Sequence, residues 1–319
     1  MKALITGVNG FAGSYLAEAL LKANCLVTGL VQPGTSLSNI STIKDRLSLF
    51  EVDLLDQDDL NKIISNISVD VVFHLAGASS VKESFEQPGK YFAINVIGSL
   101  NLLASLRKSL PKSRIILVAS GEVYGESLDS KKKIDENAPL LPKSPYGASK
   151  AAMDMLGRIY HKSTGQEIII ARPFNHIGPR QTDVFFVPAV ARQIAEIVNK
   201  RKPAVIDLGD IEVYRDFTDV RDMVKAYIAL AQKGSPGKAY NICSGKRYLL
   251  RDIVNELIKL SKTRIEIKID PARLRKSDIK DIKVDNSLII KETGWKPTIK
   301  IDDSLTDIFK YWLEKTKAV

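Results

Sequence analysis

Two side chains that could move a proton lie four residues apart in the stretch Ser144-Pro145-Tyr146-Gly147-Ala148-Ser149-Lys150. Residues at i and i+4 share one face of a helix, so the Tyr146 phenol and the Lys150 ammonium would be neighbours. A nearby positive charge lowers the pKa of a phenol, so we expect Lys150 to lower the pKa of Tyr146. Such a pair could exchange a proton with a substrate hydroxyl. Ser144 suits an N-cap and Pro145 the first helical position, which predicts a helix start here.

The spacing alone is not diagnostic, because a second tyrosine and lysine are also four residues apart. This second pair, Tyr311 and Lys315, falls in an amphipathic pattern from Asp303 to Lys315 that predicts an ordinary terminal helix. What separates the two pairs must be the elements around them.

The N-terminus has the pattern of a dinucleotide-binding loop. The apolar stretch Lys2 to Ile5 predicts a strand, and Gly7, Gly10 and Gly13 follow it immediately before a helical pattern. Glycines at this turn allow close approach to a pyrophosphate, and the helix N-terminus attracts its charge. The spacing is Gly-x2-Gly-x2-Gly, not the Gly-x-Gly-x2-Gly form.

Apolar strand candidates then alternate with helical stretches near 57–66, 92–108 and 146–163. After the first strand, the candidates are Leu26 to Val31, Leu47 to Val52, Val69 to His74, Arg114 to Ala119 and Glu167 to Arg172. This alternation predicts an α/β fold with a Rossmann-like, doubly wound parallel sheet, whose ligands bind at the carboxyl ends of the strands. Polar or small residues follow three of these strands: Asp53, Ala76-Gly77-Ala78 and Ser120-Gly121-Glu122.

The pattern changes after residue 172 to shorter elements punctuated by prolines. We therefore expect two interleaved parts. Residues 1–174 would form the NAD(P)-binding domain, with its sheet completed by parts of 211–243. Residues 175–319 would form a smaller, mixed substrate lobe.

Composition narrows the class of protein. The 319 residues are 45% hydrophobic, and the net charge of +10 comes from Lys and Arg scattered among 37 acids. This scatter argues against a nucleic-acid surface and suits a pocket for a polyanionic small molecule. Cys25 and Cys243 lie in apolar runs, which predicts buried thiols in a reducing, cytoplasmic compartment. With no apolar run of about 18 residues, no membrane span is expected.

The chain resembles the extended short-chain dehydrogenase/reductase superfamily along essentially its full length. The residues that carry the resemblance are Gly7, Gly10, Gly13, Asp53, His74-Leu75-Ala76-Gly77, Asn95, Ser120, Glu122-Val123-Tyr124-Gly125, Tyr146 and Lys150. Segments 174–179, 215–222, 240–245 and 294–297 are most similar to its GDP-sugar branch, which holds GDP-mannose 4,6-dehydratase and the GDP-4-keto-6-deoxymannose reductase that follows it. The segment around His176 and the short length are more similar to the reductase.

The resemblance implies a role for each site residue. Tyr146 would be the general acid that protonates the sugar C4 oxygen, Lys150 would lower its pKa and hold the ribose, and Ser120 would hydrogen-bond the same oxygen. The implied cofactor contacts are Gly7, Gly10, Phe11, Gly13, Asp53, Leu54, Leu75, Ala76, Ala78, Asn95, Tyr146, Lys150 and Arg172. The implied substrate contacts are Asn175, Arg180, Arg215 and Arg275. The family also implies a homodimer through the helices near 95–108 and 146–163.

Three positions leave alternatives open. Segment 29–36 has neither the acid that binds a ribose 2′-hydroxyl nor the Arg that neutralises a 2′-phosphate, so we expect NADP with NAD as the alternative. Arg275 is followed by Lys276, where the branch has proline. Glu122 is either the base that removes the C5 proton in a dehydratase or a paired loop carboxylate.

The function expected from these residues is NAD(P)H-dependent reduction of the C4 ketone of GDP-4-keto-6-deoxy-D-mannose, to GDP-D-rhamnose or its C4 epimer. The alternatives are a GDP-mannose 4,6-dehydratase, a nucleotide-sugar 4-epimerase with tightly bound cofactor, and a non-catalytic nucleotide sensor. The intact set of Ser120, Tyr146 and Lys150 argues against a sensor. His74 is expected to be structural, whereas His176 could be functional or could anchor its loop. No metal site is expected, because no His, Cys or Asp cluster has ligand spacing.

Overall fold

The computed structural model describes residues 1–129, 133–271 and 280–317. Its strands are β1 (Lys2–Thr6), β2 (Leu26–Val31), β3 (Ser48–Glu51), β4 (Val71–His74), β5 (Arg114–Val118), β6 (Ile168–Pro173), β7 (His176–Ile177), β8 (Val205–Leu208), β9 (Tyr214–Arg215), β10 (Thr218–Asp219), β11 (Ala239–Ile242), β12 (Tyr248–Leu249) and β13 (Glu266–Ile269). Seven of them form one parallel sheet in the order β3-β2-β1-β4-β5-β6-β11.

Helices cover both faces of this sheet. They are α1 (Phe11–Lys22), α2 (Gln57–Ser65), α3 (Val81–Glu86), α4 (Pro88–Phe92), α5 (Gly98–Ser109), α6 (Pro145–Thr164), α7 (Phe186–Val198), α8 (Val220–Lys233), α9 (Leu250–Ser261), α10 (Ser287–Thr293) and α11 (Ile301–Lys317). One face carries α1, α8 and α10, and the other carries α2, α5 and α6. The predicted doubly wound parallel sheet is therefore confirmed.

The central strands are mostly apolar because both faces of the sheet are buried there, whereas the edge strand β3 is largely exposed. Successive side chains point to opposite faces, so neighbours in one strand enter different cores. Ile5 and Phe73 pack with α1 and α8, whereas Leu4 and Val72 pack with α2 and α5. The apolar runs of the sequence thus specify the two-sided packing that supports the strand ends.

The second half of the chain builds its own core and also returns to the sheet. Helices α7, α9 and α11 pack together beside the parallel pair β8 and β13. The stretch of sequence between α7 and α9 returns to the large sheet. There α8 packs against α1, and β11 pairs with β6 as the edge strand. None of the helices in the described ranges is both long and apolar enough to cross a membrane.

One predicted helix is divided in the structure. The stretch 92–108 was expected to be a single helix, but α4 ends at Phe92, a π-helical segment spans Ala93–Ile97, and α5 begins at Gly98. A π segment adds a residue to the helix and is frequent at functional sites. Here it contains Asn95, whose side chain pairs with the backbone of Ala78.

Candidate active site

Helix α6 begins where the sequence predicts. The Ser144 hydroxyl accepts a hydrogen bond from the Gly147 amide at 3.0 Å, and Pro145 occupies the first helical position. A side-chain cap satisfies a first-turn amide that has no partner within the helix. The cap places Tyr146 in the first turn, facing the loop that follows β5.

The Tyr146 phenol is buried in this loop. The Tyr91 ring packs edge-on against it with ring centroids 6.2 Å apart, and the Ser120 side chain is near enough to influence its pKa. Burial raises the pKa of Tyr146 to about 12; the Ser120 hydrogen bond opposes this shift, and the charge of Glu122 adds to it. At neutral pH the phenol is therefore protonated and can act as an acid.

The expectation that Lys150 lowers the pKa of Tyr146 is wrong for this structure. The Lys150 ammonium donates to the Val118 carbonyl at 2.8 Å, at the end of β5, and the pKa of Tyr146 shifts upward instead. Burial lowers the pKa of Lys150 itself to about 8. The physical reason is that both groups are removed from water, which favours the neutral form of each.

The second pair of the same spacing behaves differently. Lys315 Nζ donates to the Tyr311 hydroxyl at 3.2 Å on the exposed face of α11. This pair makes the direct contact that the buried pair lacks, yet it is exposed and lies outside the parallel sheet. Direct contact between the two side chains thus does not identify the candidate active site.

The glycine loop between β1 and α1 has the shape that a dinucleotide pyrophosphate requires. Gly7 has φ +70°, and a Cβ there would lie 3.0 Å from the backbone of Ala76. A Cβ on Gly13 would lie 2.1 Å from the Gly7 carbonyl oxygen. The N-cap of α1 is Gly10, which has no side chain to cap the first amides. These residues fit a bound pyrophosphate, because they leave the backbone open at a helix N-terminus.

Asn95 connects the loop after β4 to α6. Its amide oxygen accepts from the Ala78 amide at 2.9 Å, and its amide nitrogen donates to the Ala78 carbonyl at 3.0 Å and to the Ser149 hydroxyl at 2.9 Å. Ser149 in turn donates to the Tyr146 carbonyl at 2.7 Å. Ser149 was not among the predicted site residues, although its position three residues after Tyr146 places it on the same face of the helix.

His74, at the end of β4, is a neutral ring held between Thr6 and Ser99. Ser99 donates its only hydroxyl proton to the Asn95 carbonyl, so His74 Nε2, 2.8 Å from Ser99 Oγ, must carry a proton. Nδ1 then accepts from Thr6, whose hydroxyl also accepts from the Ala76 amide. Burial, and next the charge of Lys150, lower the pKa of His74 to about 3.

The remaining predicted cofactor residues near the strand ends lie where the sequence placed them. Asp53 follows β3 and accepts from the Leu55 amide at 2.9 Å, and the Leu54 carbonyl accepts from Asn101 of α5. Leu75 continues from β4 and donates its amide to the Thr6 carbonyl. Phe11 opens α1 and stacks on the His176 ring, with centroids 5.7 Å apart and an interplanar angle of 1°.

Arg172 was expected to contact the cofactor, but the structure places its guanidinium inside the protein. The side chain is 1% exposed and pairs with Asp154 at 2.8 Å. It also donates to the Tyr124 hydroxyl at 2.6 Å and to the Glu136 carbonyl at 3.1 Å. A buried guanidinium needs such partners. The geometry therefore gives Arg172 a structural position, which contradicts the predicted cofactor contact.

The predicted substrate residues that the structure describes have different surroundings. Asn175 is exposed after β6, and Arg215 lies in β9 with Nη1 donating to the Tyr214 carbonyl. Arg180 instead contacts α1 on the cofactor side, with Glu18 as its ion-pair partner, which contradicts its predicted substrate contact. Arg275 lies outside the described residues.

A small cavity lies beside the segment that contains Arg215. Its volume is about 140 Å³. It is lined by Lys133, Asp216, Gly245, Arg247, Ile282, Lys283 and Val284. Three of these seven residues are cationic. Such a lining suits the phosphates of a nucleotide.

Comparisons with known proteins agree with this geometry. The model of the GDP-mannose 4,6 dehydratase family matches residues 4–308. A GDP-6-deoxy-D-mannose reductase of Pseudomonas aeruginosa is 34% identical, over 98% of this chain and 97% of the relative. A GDP-mannose 4,6-dehydratase of Vibrio cholerae is 27% identical, over 99% of this chain and 94% of the relative.

Solved structures show the same fold. RMD from Pseudomonas aeruginosa complexed with NADPH has a TM-score of 0.86 at 32% identity, and the match covers 98% of this chain and 99% of that chain. UDP-glucose 4-epimerase of Thermotoga maritima with UDP-glucose has a TM-score of 0.89 at 25% identity, covering 99% of this chain and 100% of that chain. With the family model matching nearly the whole length, the chain belongs to the GDP-mannose 4,6-dehydratase family, within the short-chain dehydrogenase/reductase superfamily that its motifs indicate.

Proposed function

We propose that this protein reduces the C4 ketone of GDP-4-keto-6-deoxy-D-mannose with NADPH. The observation that carries the proposal is the placement of Tyr146, a buried phenol at the start of α6 beside Ser120 and the carboxyl end of β5. A reduction needs a proton donor at the moment when the ketone oxygen gains charge.

The chain's residues would divide the chemistry as follows. NADPH held by the glycine loop of Gly7, Gly10 and Gly13 would supply a hydride to C4, and the electron pair of the C4–oxygen π bond would pass to the oxygen. Tyr146 gives its phenolic proton to that oxygen, and Ser120 hydrogen-bonds the same atom. A sugar alkoxide is a stronger base than a phenolate, so a phenol with a pKa of about 12 still transfers its proton downhill.

The choice of reductase and of NADPH rests on similarity. The reductase relative is 34% identical to this chain, whereas the dehydratase relative is 27% identical, at comparable coverage. The related RMD structure is complexed with NADPH. The product would be GDP-D-rhamnose or its C4 epimer.

One observation favours a second candidate, a GDP-mannose 4,6-dehydratase. The negative charge of Glu122 acts on the Tyr146 phenol, so a carboxylate lies near the same reacting position. Elimination of water between C5 and C6 needs such a group to take the C5 proton. A nucleotide-sugar 4-epimerase has weaker support: like the dehydratase it would need Tyr146 to ionise in its first step, and the Thermotoga maritima 4-epimerase is 25% identical to this chain, against 34% for the reductase relative.

Two incubations of the purified protein separate these candidates. One contains GDP-mannose without added NADPH, and the other contains the 4-keto-6-deoxy sugar nucleotide with NADPH. Oxidation of NADPH in the second mixture alone supports the reductase. Formation of a 4-keto product in the first mixture would support the dehydratase instead and refute our proposal.

We also propose that the protein is a cytoplasmic homodimer. Met155 and Ile159 are 53% and 59% exposed and lie four residues apart on one face of α6, and Ile97, the last residue of the π-helical segment before α5, is 47% exposed. Large exposed apolar side chains on adjacent helices are typical of a subunit interface. Both cysteines are free thiols, which suits a reducing compartment.

A further inference from the structure

Arg180 is tied to the first helix of the cofactor-binding half. Its guanidinium donates to both carboxylate oxygens of Glu18, at 2.7 and 3.2 Å, and its central carbon lies 3.8 Å from the centre of the Tyr15 ring. The Tyr15 hydroxyl donates to the Pro179 carbonyl at 3.2 Å. A bidentate pair combined with ring stacking fixes a guanidinium in one orientation, which a lysine cannot reproduce.

The same guanidinium also holds the loop that follows β2. Arg180 Nη1 donates to the Asn39 carbonyl at 3.0 Å, and the Asn39 side chain donates to the Asn9 carbonyl at 3.1 Å. Asn9 belongs to the glycine loop. Its side-chain amide nitrogen donates to the Thr35 hydroxyl at 2.9 Å and to the Ser36 carbonyl at 3.0 Å. An unbroken series of contacts therefore leads from Arg180 to the loop 35–39.

The backbone at Arg180 supports a special role. Its φ is +73°, in the left-handed region, where only three other non-glycine residues of the described ranges have positive φ. A side chain persists in that region when its surroundings over-determine it, and such positions cluster at functional sites. The contacts with Glu18, Tyr15 and Asn39 provide that constraint.

We propose that Arg180 is a positioning residue for the 2′-phosphate end of NADPH. The loop after the second strand of such a sheet lies at the adenosine ribose, and Arg180 holds its conformation from a site remote in sequence. The proposal rests on the proposed NADPH-dependent function. Because the 2′-phosphate is the group that distinguishes NADPH from NADH, loosening this loop weakens NADPH binding more than NADH binding.

The test is equilibrium binding of NADPH, NADH and GDP to purified variants, measured by calorimetry. Arg180→Gly removes the side chain and also relieves the left-handed backbone. We expect the Kd for NADPH to rise about tenfold, with smaller change for NADH and none for GDP. Arg180→Lys keeps the charge without the planar guanidinium. Its Kd for NADPH is expected to lie between those of the wild type and Arg180→Gly.

Controls separate the possible failures. Arg192→Ala removes another arginine of an ion pair, with Asp183, and is expected to leave NADPH binding unchanged. Glu18→Gln breaks the same ion pair by removing the charge of Glu18. It is also expected to raise the Kd for NADPH. The test therefore does not depend on a single variant folding. An unchanged NADPH Kd in Arg180→Gly and Glu18→Gln, or a loss confined to GDP, overturns the inference. A wild-type protein that binds neither NADPH nor NADH overturns the proposed function itself.

Discussion

The ammonium of Lys150 donates a hydrogen bond to the carbonyl of Val118, at the end of the fifth strand, 2.8 Å away. This contact ties the first turns of α6 to the sheet, and Lys150 is not among the groups that shift the pKa of Tyr146. The phenol is left with Ser120 as a hydrogen-bonding partner and with a raised pKa. A protonated Tyr146 can donate its proton to a ketone oxygen, which is what a ketone reduction requires.

Replacement of Tyr146 by phenylalanine tests the proposed acid. Because the hydroxyl is the proton donor, we expect Tyr146→Phe to lower kcat for ketone reduction by a factor of about 10² to 10⁴. The affinity for NADPH, measured by calorimetry, is expected to remain. Tyr311→Phe is the matched control, since Tyr311 has the same spacing to a lysine but is exposed on α11. Turnover retained by Tyr146→Phe would refute the acid role.

Lys150 makes stability depend on pH in the alkaline range. Its pKa is about 8 in the folded state against 10.5 as a free side chain, so the unfolded chain binds more protons between these values. The free energy of unfolding therefore gains a contribution as pH rises from 8 to 10.5, worth at most about 3 kcal/mol. Urea unfolding at pH 8 and pH 10 is expected to show this gain in the wild type and to lack it in Lys150→Met. Parallel pH dependence of the two proteins would contradict the burial of the charge.

His74 makes the corresponding contribution in acid. Its pKa is about 3 in the fold against 6.5 as a free side chain, so the stability that depends on the neutral ring is complete above pH 6.5 and is lost as pH falls towards 3. We expect His74→Gln to remove this acid dependence and to be less stable at neutral pH, because Thr6 and Ser99 lose a partner. Denaturation midpoints from pH 4 to 7 measure it, with His161→Gln as the control. A variant that keeps the wild-type acid dependence would rule out His74 as its source.

Exposed apolar residues on α6 test the proposed dimer. Ile159 is 59% exposed, so replacing it by aspartate costs little in an isolated subunit but buries a charge in an interface. Light scattering is expected to show a dimer for the wild type and a monomer for Ile159→Asp. The same mass for both proteins would exclude this face of α6 from the interface.

Much of the fold could be predicted from the sequence because its signals are local. Both faces of the sheet are buried at its central strands, so β4 and β5 are nearly continuous apolar runs in the sequence. The start of α6 is encoded by Ser144 and Pro145 within three residues of the first amides. The glycine loop could be predicted for the same reason, because Gly13 and Gly7, which approach each other closely, are only six residues apart in sequence.

The partners of individual charged side chains could not be predicted, because they depend on contacts distant in sequence. Arg180 and Glu18 are 162 residues apart, and Arg180 reaches α1 only after the second half of the chain has folded back. The direction of the Lys150 side chain likewise depends on Val118, 32 residues earlier. Residue type and spacing indicate which groups could react, whereas the tertiary packing decides which are held elsewhere.

The shared carboxylate of Asp154 offers a direct comparison of a buried and an exposed ion pair. It accepts from Arg172, which is 1% exposed, and from Arg158, which is 41% exposed. Losing the buried partner leaves a buried charge, so we expect Arg172→Met to lower the free energy of unfolding by about 3 to 5 kcal/mol. Arg158→Met is expected to cost less than about 1 kcal/mol. Urea denaturation measures both, and equal losses would contradict the burial of Arg172. Binding of NADPH by folded Arg172→Met is expected to match the wild type, because the guanidinium faces Tyr124 and Asp154.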